Sequence, residues 1–300
     1  MQKLSRRTFI QSAAAVAPTL LLPKRTLGQD AGSIALLHTN DTHSRLEPFD
    51  RGPYAGRAGV ARRATALKKA RSSNLYSLVL DAGDVFQGTP WFNRYHGEMD
   101  MKMLQALGYD GMVLGNHEFD AGIEQLRKAL GFAPDMKIVS ANYEVRGTPL
   151  EDRVTPHHIF QKGPYKIGVF GLGIALEGLV NSKMCAGVKY KDPREAAKRH
   201  VQLLRERQCD VVVCLSHLGH EGYQGEVGDV DWPKDVPGVD YVVGGHTHTF
   251  LEKPHRVSAH KSHWETPVMQ VGHSGLWLGT ASLRINSRKA QLQSAKNVLV

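Results

Sequence analysis

The stretch SIALLHTNDTH (residues 33–43) runs from an apolar, strand-like segment directly into Asp41 and His43. Four later segments repeat that pattern. SLVLDAGD (77–84) ends on Asp84, and MVLGNHE (112–118) carries Asn116 and His117; VVVCLSH (211–217) ends on His217, and YVVGGHTH (241–248) carries His246 and His248. Five predicted strands therefore deliver oxygen or imidazole groups at their C-terminal ends, where open α/β sheets place their sites. The first three segments and the last two read as the halves of one dinuclear metal site, and hence as a metal-dependent hydrolase.

The chemistry supports treating the seven side chains Asp41, His43, Asp84, Asn116, His217, His246 and His248 together. Two divalent cations held a few ångströms apart need about eight ligand contacts, with one carboxylate bridging them. Oxygen and imidazole donors without thiolate suit Mn, Fe, Co or Zn. The His246-X-His248 and Asp41-X-His43 spacings can point both side chains one way if the segments are extended. Glycines before the ligands (Gly83, Gly115, Gly244, Gly245) permit sharp turns and close backbone approach.

Outward from these motifs, strand-like runs lie near 33–39, 76–81, 112–115, 137–141, 165–171, 210–216 and 239–244, then 267–272 and 278–285. Helical periodicity marks 58–72, 97–107, 121–131 and 193–207, the last opening on the capping pair Asp192-Pro193. Alternating strands and helices predict a layered α/β domain. From Val268 to Val300 strands follow without helices, so part of the sheet system is expected to be antiparallel. Arg62, Arg63, Lys68, Lys69 and Arg71 read as the solvated face of the first helix.

Ser5-Arg6-Arg7-Thr8-Phe9-Ile10, followed by an apolar stretch to Leu22, has the layout of a twin-arginine signal ending near Gly28. This predicts export to the periplasm or exterior, with the twin-arginine translocase as a transient partner. Residues 1–28 hold five of the 38 basic side chains and no acidic ones, leaving 33 against 29 acidic. Near-balanced charge and no basic run with interleaved aromatics argue against nucleic-acid binding. No later apolar stretch is long enough to span a membrane, so no stable anchor is expected. Cys185, Cys209 and Cys214 lack metal-type spacing, and no disulfide is expected.

The ordered motifs DTH, GD, GNHE, H and GGHTH resemble the calcineurin-like metallophosphoesterase superfamily. HTNDTHSRLEPF, AGDVFQGTPWF, LGNHEFDAG and VGGHTHTFLEKP resemble, more narrowly, its secreted 5′-nucleotidase and 2′,3′-cyclic phosphodiesterase branch, over roughly Ile34 to Leu299. The resemblance implies a four-layer α/β/β/α sandwich of two mixed sheets. It assigns one metal ion to Asp41, His43, Asp84 and His248, and the other to Asp84, Asn116, His217 and His246. It further implies that His117, oriented by Asp120, acts on the phosphoryl group during in-line attack by a hydroxide. The implied substrates are phosphomonoesters, above all 5′-nucleotides, with cyclic nucleotides a second option. Hydrolysis of sulfur-bearing conjugates and a non-catalytic metal- or phosphate-binding role are the alternatives.

Residues 29–300 are expected to form the catalytic domain alone. The C-terminal substrate-binding domain of the branch has no counterpart in the sequence, which leaves a separately encoded partner as an option. Among fifteen histidines, His220 is expected outside the ligand set, and His273 is expected to line or support the site. Glu118 is expected to support its own turn. Trp91, Phe92 and Tyr95 are equally readable as pocket or core.

Overall fold

Every residue of SIALLHT except the first is buried, and its alternation splits the side chains between two different cores. This computed structural model describes residues 32–222, 225–286 and 289–300; the twin-arginine segment lies outside them. The strands, in chain order, are β1 (Ser33–Thr39), β2 (Ser77–Asp81), β3 (Gly111–Val113), β4 (Lys137–Val139), β5 (Tyr143–Glu144), β6 (Val154–Thr155), β7 (His157–Lys162) and β8 (Tyr165–Gly173). They continue as β9 (Lys189–Tyr190), β10 (Val211–His217), β11 (Tyr241–Gly244), β12 (His255–Ser258), β13 (Glu265–Met269), β14 (Trp277–Asn286) and β15 (Lys289–Leu299). The helices are α1 (Val60–Ser72), α2 (Pro90–Tyr95), α3 (Glu98–Leu107), α4 (Ile123–Leu130) and α5 (Pro193–Glu206).

Two mixed sheets carry the domain. One has seven strands in the order β15-β14-β1-β2-β3-β4-β6, the other six in the order β12-β13-β11-β10-β8-β7. The centre of each is parallel; antiparallel strands close both edges of the second sheet and the β14–β15 edge of the first, whose other edge strand β6 is parallel, so the helix-free C-terminal run supplies antiparallel pairing as expected. Ile34 and Leu36 of β1 face Val169, Val213 and Val243 in a core between the sheets. Leu37 faces the other way, toward Leu67, Met101 and Leu126 of the helices. Phe170, Val212 and Val242 cover the outer face of the second sheet against Ala197, Val201 and Leu204 of α5. Three apolar cores thus separate four layers, α/β/β/α, as expected.

Because β1, β2 and β3 run parallel in one sheet and β10 and β11 run parallel in the other, all five strands end on one rim. Helix α5 opens where expected, with Asp192 accepting the N–H of Glu195 at 3.0 Å. All three cysteines are free thiols, and Cys214 is fully buried in β10. Among the described residues no helix is long and apolar enough to cross a membrane.

One expectation about α1 needs correction. Arg62, Lys68 and Lys69 are exposed, but Arg63 is buried. Its guanidinium turns inward beside Asp81, Asp100 and Tyr109, whose ionisation it influences, and its Nη2 reaches the Arg45 carbonyl at 3.4 Å. A cation beneath a buried acidic cluster is invisible to helical periodicity, which counts charge as surface.

His38 is a second buried polar group, sandwiched in the inter-sheet core with Tyr241 Oη 3.5 Å from its Nε2 and no partner for Nδ1. Burial lowers its pKa to about 3. The folded protein therefore binds fewer protons than the unfolded chain between that value and the ordinary 6.5, and stability falls as pH drops through this window. Acidifying chelator-treated protein from pH 7 to pH 5 should cost about 2 kcal/mol through this residue alone. Urea unfolding of His38→Gln across the same range should show a correspondingly flatter pH slope; equal slopes would remove His38 as the cause.

Candidate metal centre

The rim brings all seven candidate ligands together. Asp41, His43 and His248 form one group and Asp84, His217 and His246 another, the ligand atoms within each lying within 4.8 Å of one another. Asn116 joins the second group, its Oδ1 3.0 Å from His246 Nδ1. The groups adjoin: Asp41 Oδ1 lies 3.4 Å from His248 Nε2 and 4.0 Å from both His43 Nε2 and His217 Nε2.

The backbone that achieves this is unusual. Asp41, His43, Asp84, His246 and His248 all have φ between 48° and 75°. That left-handed region costs a side-chain-bearing residue roughly 1–2 kcal/mol. The extended condition under which DxH and HxH would point both side chains one way is therefore not met, and tight turns do the aiming. Glu118 holds one of them, its buried carboxylate accepting the N–H groups of Asp84 (2.9 Å), Val85 (2.8 Å), Phe86 (3.2 Å) and Gly115 (2.6 Å). It is a turn organiser, as expected. Burial raises its pKa to about 7.

Two side chains that the sequence reading missed fix the remaining loops. Asn40 donates to Asp41 Oδ2 and to the Gly272 carbonyl, both at 2.6 Å, and accepts from Val271 N. Gln270 donates to the Gly245 carbonyl at 2.6 Å and accepts from Thr249 N, locking GGHTHT. Most of these bonds cross long sequence separations. Only the polarity of Asn40 beside Asp41 offered a local hint.

The donor set fits cations. His217 is fully buried and donates its Nδ1 proton to the Ala82 carbonyl at 2.6 Å. This leaves Nε2 without a hydrogen-bond partner, 3.0 Å from Asp84 Oδ2. His43 likewise donates Nδ1 to the Phe86 carbonyl at 3.1 Å, so its Nε2 faces His248 Nε2 at 2.9 Å. Carbonyl acceptors on one ring nitrogen set the tautomer and turn the other nitrogen's lone pair inward, the arrangement of metal-bound histidines. Electron-rich atoms converge here with buried Asp41 and Asp84, and positive charge is what such a cluster needs. Space is matched as well: a Cβ on Gly115 would collide with Asp84 Oδ1 and lie 2.7 Å from His217 Nε2.

Protonation follows the same geometry. As long as no cation displaces the Nε2 proton, burial opposes charge on His217, but the Asp84 carboxylate outweighs it and raises the pKa to about 10. In the reciprocal direction, burial would raise the Asp84 pKa, but the positive His217 beside it drives it far below the usual carboxylate range. His246 moves down to about 4 by burial and the neighbouring His217 charge. At the mouth, His117 Nδ1 meets Asp120 Oδ2 at 2.7 Å, with its backbone N–H on Asp84 Oδ1 at 2.9 Å. Burial there is overcome by Asp120 and Asp84, and the His117 pKa rises to about 8.

The remaining histidines sort by position. His273 is half-buried with its ring 5.1 Å from that of His248, so it supports the site's edge. His220 stays outside both groups and packs against His255 at 5.2 Å. Phe92 is core, packed beside Phe86 with the rings tilted, whereas Trp91 and Tyr95 stack on each other outside it.

The sequence matches the profile of the calcineurin-like phosphoesterase family over residues 34–250. A snake venom 5′-nucleotidase of Crotalus adamanteus is 32% identical, covering 100% of this chain and 55% of its own length. The 5′-nucleotidase of Homo sapiens is 32% identical over 97% of the chain and 53% of its own. Among solved structures, a 5′-nucleotidase precursor from Thermus thermophilus superposes with a TM-score of 0.81 at 31% identity, over 89% of this chain and 54% of that one. The chain thus spans about half the length of these relatives.

Proposed function

Because the chain belongs to the calcineurin-like phosphoesterase family, and so is a metal-dependent phosphoester hydrolase, we propose that it is an exported phosphomonoesterase acting on 5′-nucleotides. The observation that carries this reading is the pairing of two converging ligand groups with a His117–Asp120 couple at their mouth. Asp41, His43, Asp84 and His248 would hold one ion. Asp84, Asn116, His217 and His246 would hold the other, with Asp84 shared. Bound divalent cations supply Lewis acidity to phosphoryl oxygens and a hydroxide nucleophile near neutral pH.

The protein's own groups supply the rest. The left-handed turns at Asp41, His43, Asp84, His246 and His248 hold the donors in place before substrate arrives. Asp120 accepts the Nδ1 proton of His117, so Nε2 is the nitrogen presented to substrate. From there it donates a hydrogen bond to a phosphoryl oxygen or a proton to the departing ester oxygen. A non-catalytic metal-binding module has no use for that couple.

Residues 1–28 are proposed as the twin-arginine leader and 29–300 as the catalytic unit. The experiment is to strip the purified protein with chelator, restore Mn, Co, Zn or Mg singly, and assay phosphate release. The substrates are 5′-nucleotides, 2′,3′-cyclic nucleotides, an aryl phosphate and glycerol phosphate. Metal-restored activity greatest on 5′-nucleotides is expected. No restored activity on any phosphoester would overturn the hydrolase assignment, and equal turnover of glycerol phosphate would overturn the nucleotide preference.

A further inference from the structure

We infer that a groove beside the Asp41–His43 loop seats the nucleobase of the substrate, with Trp91 and Tyr95 as its stacking surface. The inference rests on the nucleotide reading above and assigns a specificity site to this domain itself.

Helix α2 begins at Pro90 and has only six residues. Phe92 buries itself beside Phe86, ring centroids 5.7 Å apart, and anchors the helix. Trp91 and Tyr95, four apart and therefore on one face, are left outside and stack on each other at 5.8 Å and 21°. Tyr95 is 37% exposed. Together with Arg45, Leu46, Pro90 and Arg94 they line a groove of about 440 Å³, within the range of small-molecule sites.

Its chemistry suits a flat, hydrogen-bonding ring. Arg94 lies 5.8 Å from the Tyr95 ring centroid and Arg45 4.1 Å from that of Phe49. Guanidinium groups both stack on π systems and donate to ring acceptors. Glu47 and Thr89 also line the groove, but the Thr89 hydroxyl is committed to the Ser44 carbonyl at 2.9 Å. Aromatic faces stack on any base, and losing one typically weakens binding roughly ten- to a hundredfold.

Position connects the groove to the metal centre. Arg45 follows His43 by two residues. Gly88 packs so closely that a Cβ there would sit 2.9 Å from His43 Cβ. Trp91 is three residues beyond Gly88, so their Cα atoms are at most about 10 Å apart. A nucleoside can therefore bridge the two, its 5′-phosphate at the ligand cluster and its base on Trp91.

The test compares a nucleoside 5′-monophosphate with ribose 5-phosphate, which offers the same ester without a base. For Trp91→Ala and Tyr95→Ala in metal-loaded protein, kcat/KM for the nucleotide should fall roughly tenfold or more, mainly through KM, while ribose 5-phosphate changes by less than about twofold. Trp91→Phe should retain most nucleotide activity, and thermal melts check that each variant is folded. In parallel, calorimetry on chelator-treated protein should detect nucleoside binding that Trp91→Ala abolishes. Equal losses on both substrates, or no loss on either, overturns the groove assignment. Wild-type protein that binds nucleoside yet cleaves neither ester would instead overturn the hydrolase reading and leave the groove in place.

Discussion

His117→Asn should lower kcat by about 10²- to 10⁴-fold while the protein still binds its full complement of metal. His117 occupies neither ligand group, so its loss leaves the donor atoms untouched. What disappears is a nitrogen held toward the mouth by Asp120 at 2.7 Å, with a side chain about one-third exposed. Because this group acts on the ester as it breaks, the loss should fall on kcat more than on KM. Asp120→Asn, which keeps the size but lets the imidazole change tautomer, should show a smaller loss in the same direction. Elemental analysis beside steady-state kinetics makes the measurement. Wild-type turnover in His117→Asn, or loss of metal along with activity, would remove His117 from this role.

Asp84→Asn should abolish both activity and the stabilisation conferred by metal. Asp84 lies at the join of the groups, 3.0 Å from His217 and hydrogen-bonded to the backbone of His117. An amide preserves the shape but removes the charge that balances two cations. In wild-type protein, an ion at a hundredfold excess over its Kd stabilises the fold by about 2.7 kcal/mol. For a domain of this size that raises Tm by roughly 5–10 °C. The variant should show little or none of this rise. The comparison is between metal-loaded and chelated Tm within each protein, because His217 also loses its charge partner and the apo baseline moves independently. A wild-type metal-induced rise in Asp84→Asn would show that the carboxylate is not a ligand.

The layering and the gathering of these polar side chains on one rim were legible for one reason. Each of the five strand-end segments changes abruptly from apolar to polar, and that change is local. SIALLHTN and VVVCLSH announce burial and then its end within a few residues. The left-handed turns at Asp41 and His43 were not legible, because Asp and His adopt positive φ more often than most side chains but still only in a small minority of positions. They are imposed by bonds such as those from Asn40 to the segment near Gly272, 232 residues away. Arg63 was misread for a related reason, since its acidic neighbours Asp81 and Asp100 come from a strand and another helix. Strand β7, HHIFQK, was missed because its half-buried edge position tolerates a sequence without clear alternation. PWFNRY was too short for helical periodicity to register, yet it is the helix that presents Trp91 and Tyr95.

Neither ligand group can be assembled from a continuous part of the chain. His248 must meet Asp41 and His43 from more than 200 residues away, and His217 and His246 must likewise reach back to Asp84. During synthesis, a nascent chain that has finished the first sheet's parallel strands offers an ion only part of each group, Asp41 and His43 without His248 and Asp84 without His217 and His246. On the proposed ligand assignment, the site is complete only once residue 248 has emerged and the second sheet has docked. Metal capture is therefore a late report on successful folding, and truncated or half-folded copies of the protein should compete poorly for the cell's divalent ions.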